Sequence, residues 1–241
     1  MFVGKTVLVT GGASGIGESI CRQFASAGAV VFVHYNKNRE KAEGLAREIN
    51  GFSVQADVSK EKDVKKMREF VLQKTGGLDF LINNAGDIDW VESYKQVTQE
   101  MWEKVVGANL KGTFLVTKEF ADDLAKRNGA VVNLGSTAHF ESKFPALHYN
   151  ASKAGVASLT KSFARQLAPR VRVNSVAPGF IKTNFEEKYS SERKKQILDG
   201  IPLARFGEPD DVGKVVLELC SNKFSYVTGQ TIIVDGGRIT P

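Results

Sequence analysis

Tyr149 and Lys153 stand four residues apart in Tyr149-Asn-Ala-Ser-Lys153, and Ser136 precedes Tyr149 by 13 positions at the end of an apolar run. On a helix, residues four apart share a face, so the phenol and the ammonium point the same way. A free phenol titrates near about 10, too high for ready proton exchange at neutral pH. A cation one turn away, or the positive ring of an oxidised nicotinamide, stabilises phenolate and lowers that value. Ser136 follows Val131-Val-Asn-Leu-Gly135, a strand-like run, and its hydroxyl can hydrogen-bond a substrate oxygen. The three side chains suit proton transfer at a carbonyl or alcohol oxygen. A Tyr-x-x-x-Lys pair on its own is an ordinary helix-surface pattern, so the reading depends on what accompanies it.

A glycine turn accompanies it. Val7-Leu-Val-Thr10 runs into Gly11-Gly-Ala-Ser14-Gly15-Ile16-Gly17, and Ile16-Gly17-Glu18-Ser19-Ile20 opens a helix. Gly11 permits a sharp exit from the strand, Gly15 lets backbone approach a pyrophosphate, and Gly17 allows close helix–strand packing. The helix N-terminus offers free N–H groups and a partial positive charge. The spacing is Gly-x-x-x-Gly-x-Gly, not the common Gly-x-Gly-x-x-Gly fingerprint. A nicotinamide dinucleotide is the expected cofactor, and a plain tight turn is the alternative. At the second strand's end, Val33-His34-Tyr35-Asn36-Lys37-Asn38-Arg39 carries no acid at Tyr35 or Asn36, where many NAD-binding chains bond the ribose hydroxyls. With Lys37 and Arg39 near, NADP is favoured over NAD, unless both cations simply begin a solvated helix. Ser14, where a basic residue often marks NADP preference, adds nothing to that choice. Asp57-Val58 follows the third strand; the acid can accept the adenine amino group or cap the next helix. Asn83-Asn84-Ala85-Gly86 ends the fourth strand, and Asn84, Ala85 and Gly86 are expected along the cofactor crevice.

These residues must be carried by an alternation of short apolar runs and longer helical patterns. Strands are predicted at Thr6–Thr10, Val30–Tyr35, Phe52–Gln55, Phe80–Asn83, Ala130–Leu134, Val171–Val176 and Thr231–Val234. Helices are predicted at Ile16–Ser26, Arg39–Ile49, Glu61–Lys74, Gln99–Lys126, Tyr149–Ala168 and Pro209–Cys220. Strands of nearly continuous hydrophobicity belong to a parallel sheet buried on both faces. The fold class expected is therefore α/β, a doubly wound parallel seven-stranded sheet (Rossmann fold) with helices on both faces. No linker or repeat divides residues 1–241, which read as one dinucleotide-binding and catalytic domain. The polar stretch near 180–208 reads as a substrate lid.

The composition agrees. Of 241 residues 42% are hydrophobic, enough for a core, and 23 glycines with 6 prolines do not make a low-complexity chain. Cys21 and Cys220 lie in helix-like segments, which argues against a disulfide framework or a metal site. The net charge of +6 comes from cations mixed with acids, as in Lys60-Glu-Lys-Asp-Val-Lys-Lys-Met-Arg-Glu69. That pattern is a wet helix face and not a nucleic-acid stripe. With no signal-like segment after Met1 and no apolar run of about 18 residues, a cytoplasmic protein with no membrane partner is expected.

Taken together, the chain resembles the short-chain dehydrogenase/reductase family in its single-domain branch. The resemblance spans the Thr10–Gly17 turn, Asn83–Gly86, Asn109 in Ala108-Asn-Leu-Lys-Gly112, Ser136, Tyr149 with Lys153, Pro178-Gly179, and Thr228-Gly-Gln230 with Asp235-Gly-Gly237. It implies that Tyr149 is the general acid/base and that Lys153 holds the nicotinamide ribose hydroxyls. It makes Ser136 the residue that polarises the carbonyl, and Asn109 the holder of a water linking Lys153 to a proton relay. It places Pro178, Gly179, Ile181 and Thr183 at the nicotinamide, and it implies a homotetramer. The helices Gln99–Lys126 and Tyr149–Ala168 and the last strand would then meet partner copies. Ala151, Ala154, Gly155 and Ala157 would permit close helix approach, or else pack on their own sheet.

The substrate is less legible. Asp87–Tyr94, His139–Leu147 and Phe180–Ser191 should build the pocket, with Trp90, His139, Phe140, Phe144, Phe180, Phe185 and Tyr189 favouring an apolar or acyl chain; several of these aromatics can equally be core. Within the family the chain is similar to 3-oxoacyl-acyl-carrier-protein reductases, which present cations to an acyl carrier protein where Arg127 and Arg170 stand. The expected reaction is hydride transfer between NADP(H) and a 3-oxoacyl thioester or related ketone. A sugar or alcohol dehydrogenase using NAD(P) shares nearly all the motifs. A cofactor-sensing protein without catalysis is disfavoured by the intact Asn109, Ser136, Tyr149 and Lys153. A longer-branch sugar-nucleotide epimerase is disfavoured by the glycine spacing. His34 and His148 have no partner that the sequence names.

Overall fold

β1 (Thr6–Val9) owes its unbroken apolar character to burial on both sides. Val7 and Val9 face one core with Ile20 and Phe24 of α1 (Gly15–Ser26) and Val212 and Val216 of α9 (Pro209–Cys220). Leu8 faces a second core with Met67 of α3 (Glu61–Thr75) and Phe120 of α5 (Gly112–Lys126). Such two-sided burial is what a parallel sheet covered by crossover helices requires. The computed structural model describes residues 2–142, 146–183 and 189–239.

The remaining strands are β2 (Val30–Tyr35), β3 (Phe52–Gln55), β4 (Phe80–Asn83), β5 (Ala130–Leu134), β6 (Arg172–Pro178) and β7 (Thr231–Val234). All seven pair in parallel, in the order β3-β2-β1-β4-β5-β6-β7. Val7 aligns with Val31 on one side and with Phe80 on the other, so the strand order reverses between β1 and β4. Open sheets bind ligands outside the carboxyl ends of their strands at that switch point.

The expected elements are found, with informative differences. β1 stops before Thr10, because Thr10 Oγ1 turns to accept the N–H groups of Asn84 and Ala85, both at 2.9 Å. β6 runs on through Pro178 because β7 pairs along it as far as Pro178 with Val234. The helix expected at Gln99–Lys126 is three pieces: α4 (Gln99–Val106), a π-helical turn (Gly107–Lys111) and α5. The remaining helices are α2 (Arg39–Glu48), the short α6 (Ala138–Glu141), α7 (Leu147–Leu167) and α8 (Ser191–Asp199). α8 lies inside the stretch read as a lid, and Ser190 caps it by accepting the Arg193 N–H. Cys21 and Cys220 are free and buried. Among the described residues no helix is long and apolar enough to cross a membrane.

Candidate active site

At the switch point the glycine turn folds as its spacing requires. Gly11 and Gly15 adopt φ of +61° and +54°, the left-handed region that side chains disfavour. A Cβ on Gly17 would lie 2.2 Å from Gly11 O, so only glycine lets α1 approach the strand this closely. Asn84 Nδ2 donates to Thr10 O and Gly11 O, both at 2.9 Å, and thereby locks the turn to the end of β4. The N–H groups of Gly15, Ile16 and Gly17 begin α1 and lack intrahelical acceptors. They are available to an anion at the positive end of the helix dipole.

The same crevice collects the residues expected to react. A cavity of about 730 Å³ is lined by Gly11, Ser14, Gly15, Ile16, Asn84, Ala85, Gly86, Ser136, Tyr149, Lys153, Pro178, Gly179, Ile181 and Thr183, among others. Its size suits a cofactor-sized ligand. Thr183 lies over the turn: its methyl would be 3.4 Å from a Cβ on Gly15. Ile181 is held by a bridge to Gly207, and Gly179 packs so tightly on Asp235 that a Cβ would come within 2.6 Å of it. The Asp235-Gly-Gly237 segment therefore supports the Gly179 side of the crevice from behind.

Ser136 and the Tyr149–Lys153 pair arrive from β5 and α7. Lys153 is buried, donates to Leu134 O at 2.7 Å, and lies 5.7 Å from the centroid of the Tyr149 ring. Burial pulls its ammonium down from 10.5 to about 8. Tyr149 shares a hydrogen bond with Ser136. Burial raises the phenol above its ordinary value, and the Ser136 bond only partly opposes this. The lowering expected from Lys153 does not emerge in the protein alone, where desolvation of the phenolate is the largest influence. Ser136 Oγ also accepts the Ala138 N–H at 3.1 Å, and His139 Nδ1 donates to Ser136 O at 2.6 Å. His139 so braces the serine's backbone and does not line the cavity.

Asn109 occupies the π-helical turn, a distortion that often marks functional sites. Its Oδ1 accepts the Asp87 N–H at 2.7 Å, and its Nδ2 donates to Asp87 O and Ser152 Oγ, each at 3.0 Å. Both Nδ2 hydrogens are donated and Oδ1 accepts one bond, and the side chain stands outside the cavity lining. A Cβ on Gly86 would stand 2.9 Å from Asn109 Oδ1 and 3.8 Å from Lys153 Nζ, so Gly86 leaves room for both side chains.

The residues expected at the outer end of the cofactor lie beyond the cavity. Tyr35 is buried, whereas Asn36 and Lys37 are exposed. Arg39 pairs with Glu43 at 2.7 Å, and Lys37 has no ion pair among the described residues. Asp57 accepts from Ser59 N at 3.0 Å and Ser59 Oγ at 2.7 Å, and meets Lys60 at 3.4 Å. Burial works against its charge, but the Ser59 and Lys60 contacts outweigh that and hold the carboxyl below its ordinary range. Val58 packs on α5, where a Cβ on Gly112 would meet its methyl at 2.7 Å.

Of the expected pocket aromatics, Trp90, Phe180 and Tyr189 line the cavity, with Trp90 edge-on to Tyr189. Phe140 is exposed, and Phe144 and Phe185 lie outside the described residues. Glu141, from an expected pocket segment, and Arg193 and Phe206, from the expected lid, also line the wall, and sequence reasoning missed Arg238 beside them. Arg238 bonds Glu141 at 2.7 Å and covers the Phe180 ring at 5.0 Å. A chain-terminal arginine reaching back 97 positions leaves no local signal. It also missed a buried chain beneath the site, in which Asn83 Nδ2 donates to Thr117 Oγ1 and Asn133 Oδ1, and Asn133 Nδ2 to Thr160 Oγ1. Asn133 was visible as the lone polar residue in an apolar run.

Sheet, glycine turn and catalytic side chains together define the short-chain dehydrogenase/reductase family, and this chain belongs to it: it is an NAD(P)-dependent oxidoreductase. The family profile described as Enoyl-(Acyl carrier protein) reductase matches residues 11–238. The chain is 43% identical over 240 residues to 3-oxoacyl-[acyl-carrier-protein] reductase FabG of Staphylococcus aureus, covering 97% of both chains. It is 41% identical over 243 residues to FabG of Thermotoga maritima, covering 98% of both. The crystal structure of a short-chain dehydrogenase/reductase from Brucella melitensis, described as a glucose/ribitol dehydrogenase, superposes with a TM-score of 0.95 at 31% identity, covering 100% of this chain and 98% of the other.

Proposed function

We propose that this enzyme reduces a 3-oxoacyl thioester or related ketone with NADPH. The observation that carries the reaction is the convergence of Ser136, Tyr149 and Lys153 on the cavity that also holds the glycine turn. The substrate class draws support from the FabG relatives, which match along nearly their whole length. The bound cofactor supplies the hydride. Ser136 holds the substrate oxygen, and Tyr149 gives that oxygen its proton as charge develops on it. Lys153 would hold the cofactor's ribose hydroxyls and favour the phenolate that remains. Asn109 keeps Asp87 and Ser152 in place beside Lys153 and so orders the path by which the proton is replaced.

NADP is favoured by exposed Lys37 and by the missing acid at Tyr35 and Asn36, and Asp57 and Val58 take the adenine edge. The stretch near 180–208 acts as the lid of one catalytic domain, in a cytoplasmic homotetramer. An acyl carrier protein is the proposed carrier of the thioester, which stays attached to it through the reduction. Arg170 is exposed and suits such docking. Arg127 suits it less, since its guanidinium meets Asp79 at 3.5 Å and Thr75 O at 3.3 Å. Arg127 precedes β5, whose opposite end leads to Ser136, and Arg170 precedes β6, whose opposite end leads to Pro178 and Gly179. The second reading, a sugar or alcohol dehydrogenase, is favoured by the close superposition on the Brucella glucose/ribitol dehydrogenase.

One assay series tests the proposal: cofactor oxidation with an acetoacetyl thioester, offering NADPH and NADH in turn. Wild type should prefer NADPH, Tyr149→Phe should bind cofactor but lose turnover by about 100-fold or more, and Tyr35→Asp should shift preference toward NADH. Turnover retained by Tyr149→Phe removes the acid/base role. Activity on a sugar and none on the thioester decides for the second reading.

A further inference from the structure

The glycine turn is held from below by a group that the reaction does not use. His34, the fifth residue of β2, is 1% exposed. Its Nδ1 accepts the Gly11 N–H at 3.0 Å, and its Nε2 lies 3.0 Å from Ala56 O. A backbone N–H can only donate and a carbonyl can only accept. The ring must therefore be neutral, bare at Nδ1 and protonated at Nε2. His34 O takes the next donor of the turn, Gly12 N–H, at 2.9 Å. One residue thus captures both N–H groups at the turn's start, while Asn84 captures Gly11 O. Ala56 immediately precedes Asp57 and Val58, so the same ring ties the phosphate turn on β1 to the adenine edge beyond β3.

We infer that His34 is a positioning residue for the cofactor, setting the distance between the diphosphate turn and the adenine edge through its Nε2–H tautomer. This rests on the nicotinamide cofactor lying along the Gly11–Gly17 turn. A protonated ring would turn Nδ1 into a donor against the Gly11 N–H, and burial opposes that state, pulling the imidazole down to about 4.

The test is titration of NADPH and NADH into wild type, His34→Leu and His34→Asn, with steady-state kinetics alongside. Leucine fills the space and can neither accept nor donate; asparagine keeps an acceptor where Nδ1 stands. His34→Leu should raise the cofactor Kd about tenfold with kcat within about threefold, and His34→Asn should recover most of the affinity. Equal affinity of wild type and His34→Leu overturns the inference. Equally weak binding by both variants reduces the ring to packing and also overturns it. Wild type that binds neither cofactor removes the cofactor reading itself. Should the leucine variant fail to fold, 15N NMR of the wild-type ring decides. A bare Nδ1 from about pH 6 to 8 supports the inference, and a protonated Nδ1 or a titrating ring there overturns it.

Discussion

Lys153 is a buried ammonium, and the Leu134 carbonyl is its partner in the protein alone. Its depressed value of about 8 against 10.5 has a consequence for stability. The unfolded chain holds this proton more tightly than the folded one. Below about pH 8 the charge therefore costs stability, and between 8 and 10.5 stability rises with pH as the folded form sheds the proton first. The cost at neutral pH is roughly 3 kcal/mol before the Leu134 bond is set against it. Lys153→Met is expected to raise the melting temperature at neutral pH by a few degrees, at about 2–4 °C per kcal/mol, while abolishing turnover. The advantage should shrink as pH passes 8. A methionine variant less stable than wild type at neutral pH defeats the argument. The Tyr149–Lys153 pair was legible because helical spacing is local. The raised phenol was not, because desolvation depends on what other elements bring around it. His34 was equally opaque: its two partners come from the ends of two other strands.

At the scale of elements, two glycines in helices make opposite demands. Gly17 in α1 is forced: a Cβ would strike Gly11 O at 2.2 Å and Asn84 Nδ2 at 2.6 Å, and the first is backbone that cannot swing away. Gly17→Ala should push α1 off the turn, destabilise by about 1–3 kcal/mol and weaken cofactor binding. Gly44 in α2 has nothing within 4 Å of its Cβ position. Gly44→Ala should therefore stabilise by about 0.5–1 kcal/mol through helix propensity alone and leave binding unchanged. Thermal unfolding and cofactor titration of both variants decide; a neutral Gly17→Ala sinks the account of close packing. The helices and strands themselves were readable because apolar periodicity survives in the sequence. The π-helical turn at Gly107–Lys111 was not, since no residue type in Gly-Ala-Asn-Leu-Lys announces it. What selects it is tertiary: Asn109 must reach Asp87 and Ser152.

For the whole molecule, apolar strands alternating with helices imply a parallel sheet, and right-handed crossovers restrict its winding. The outer face of α7 is a matter the single chain leaves open. Leu147, Ala151, Ala154 and Ser158 recur at helical spacing, with Leu147, Ala151 and Ala154 exposed. Beside them runs a groove lined by Val106, Leu110, Phe114 and Leu159, with Phe114 also exposed. Gly155 lies so close to Leu110 that a Cβ would meet its methyl at 2.7 Å, so α7 and the π-helical turn form one continuous surface. The alternative that these small residues pack on their own sheet therefore fails for Ala151 and Ala154, which point away from it. A face of this kind, small and mostly apolar with Lys111 as the charged member of the groove, is suited to a second copy of the same helix. Ala154→Arg places a long cation where two such helices would meet. Because Ala154 is exposed in the single chain, the substitution should leave the fold intact. Light scattering after gel filtration should then report a four-chain particle for wild type and a smaller one for Ala154→Arg, with circular dichroism unchanged. A monomeric wild type, or a variant that still assembles in fours, shows that this face is not the interface.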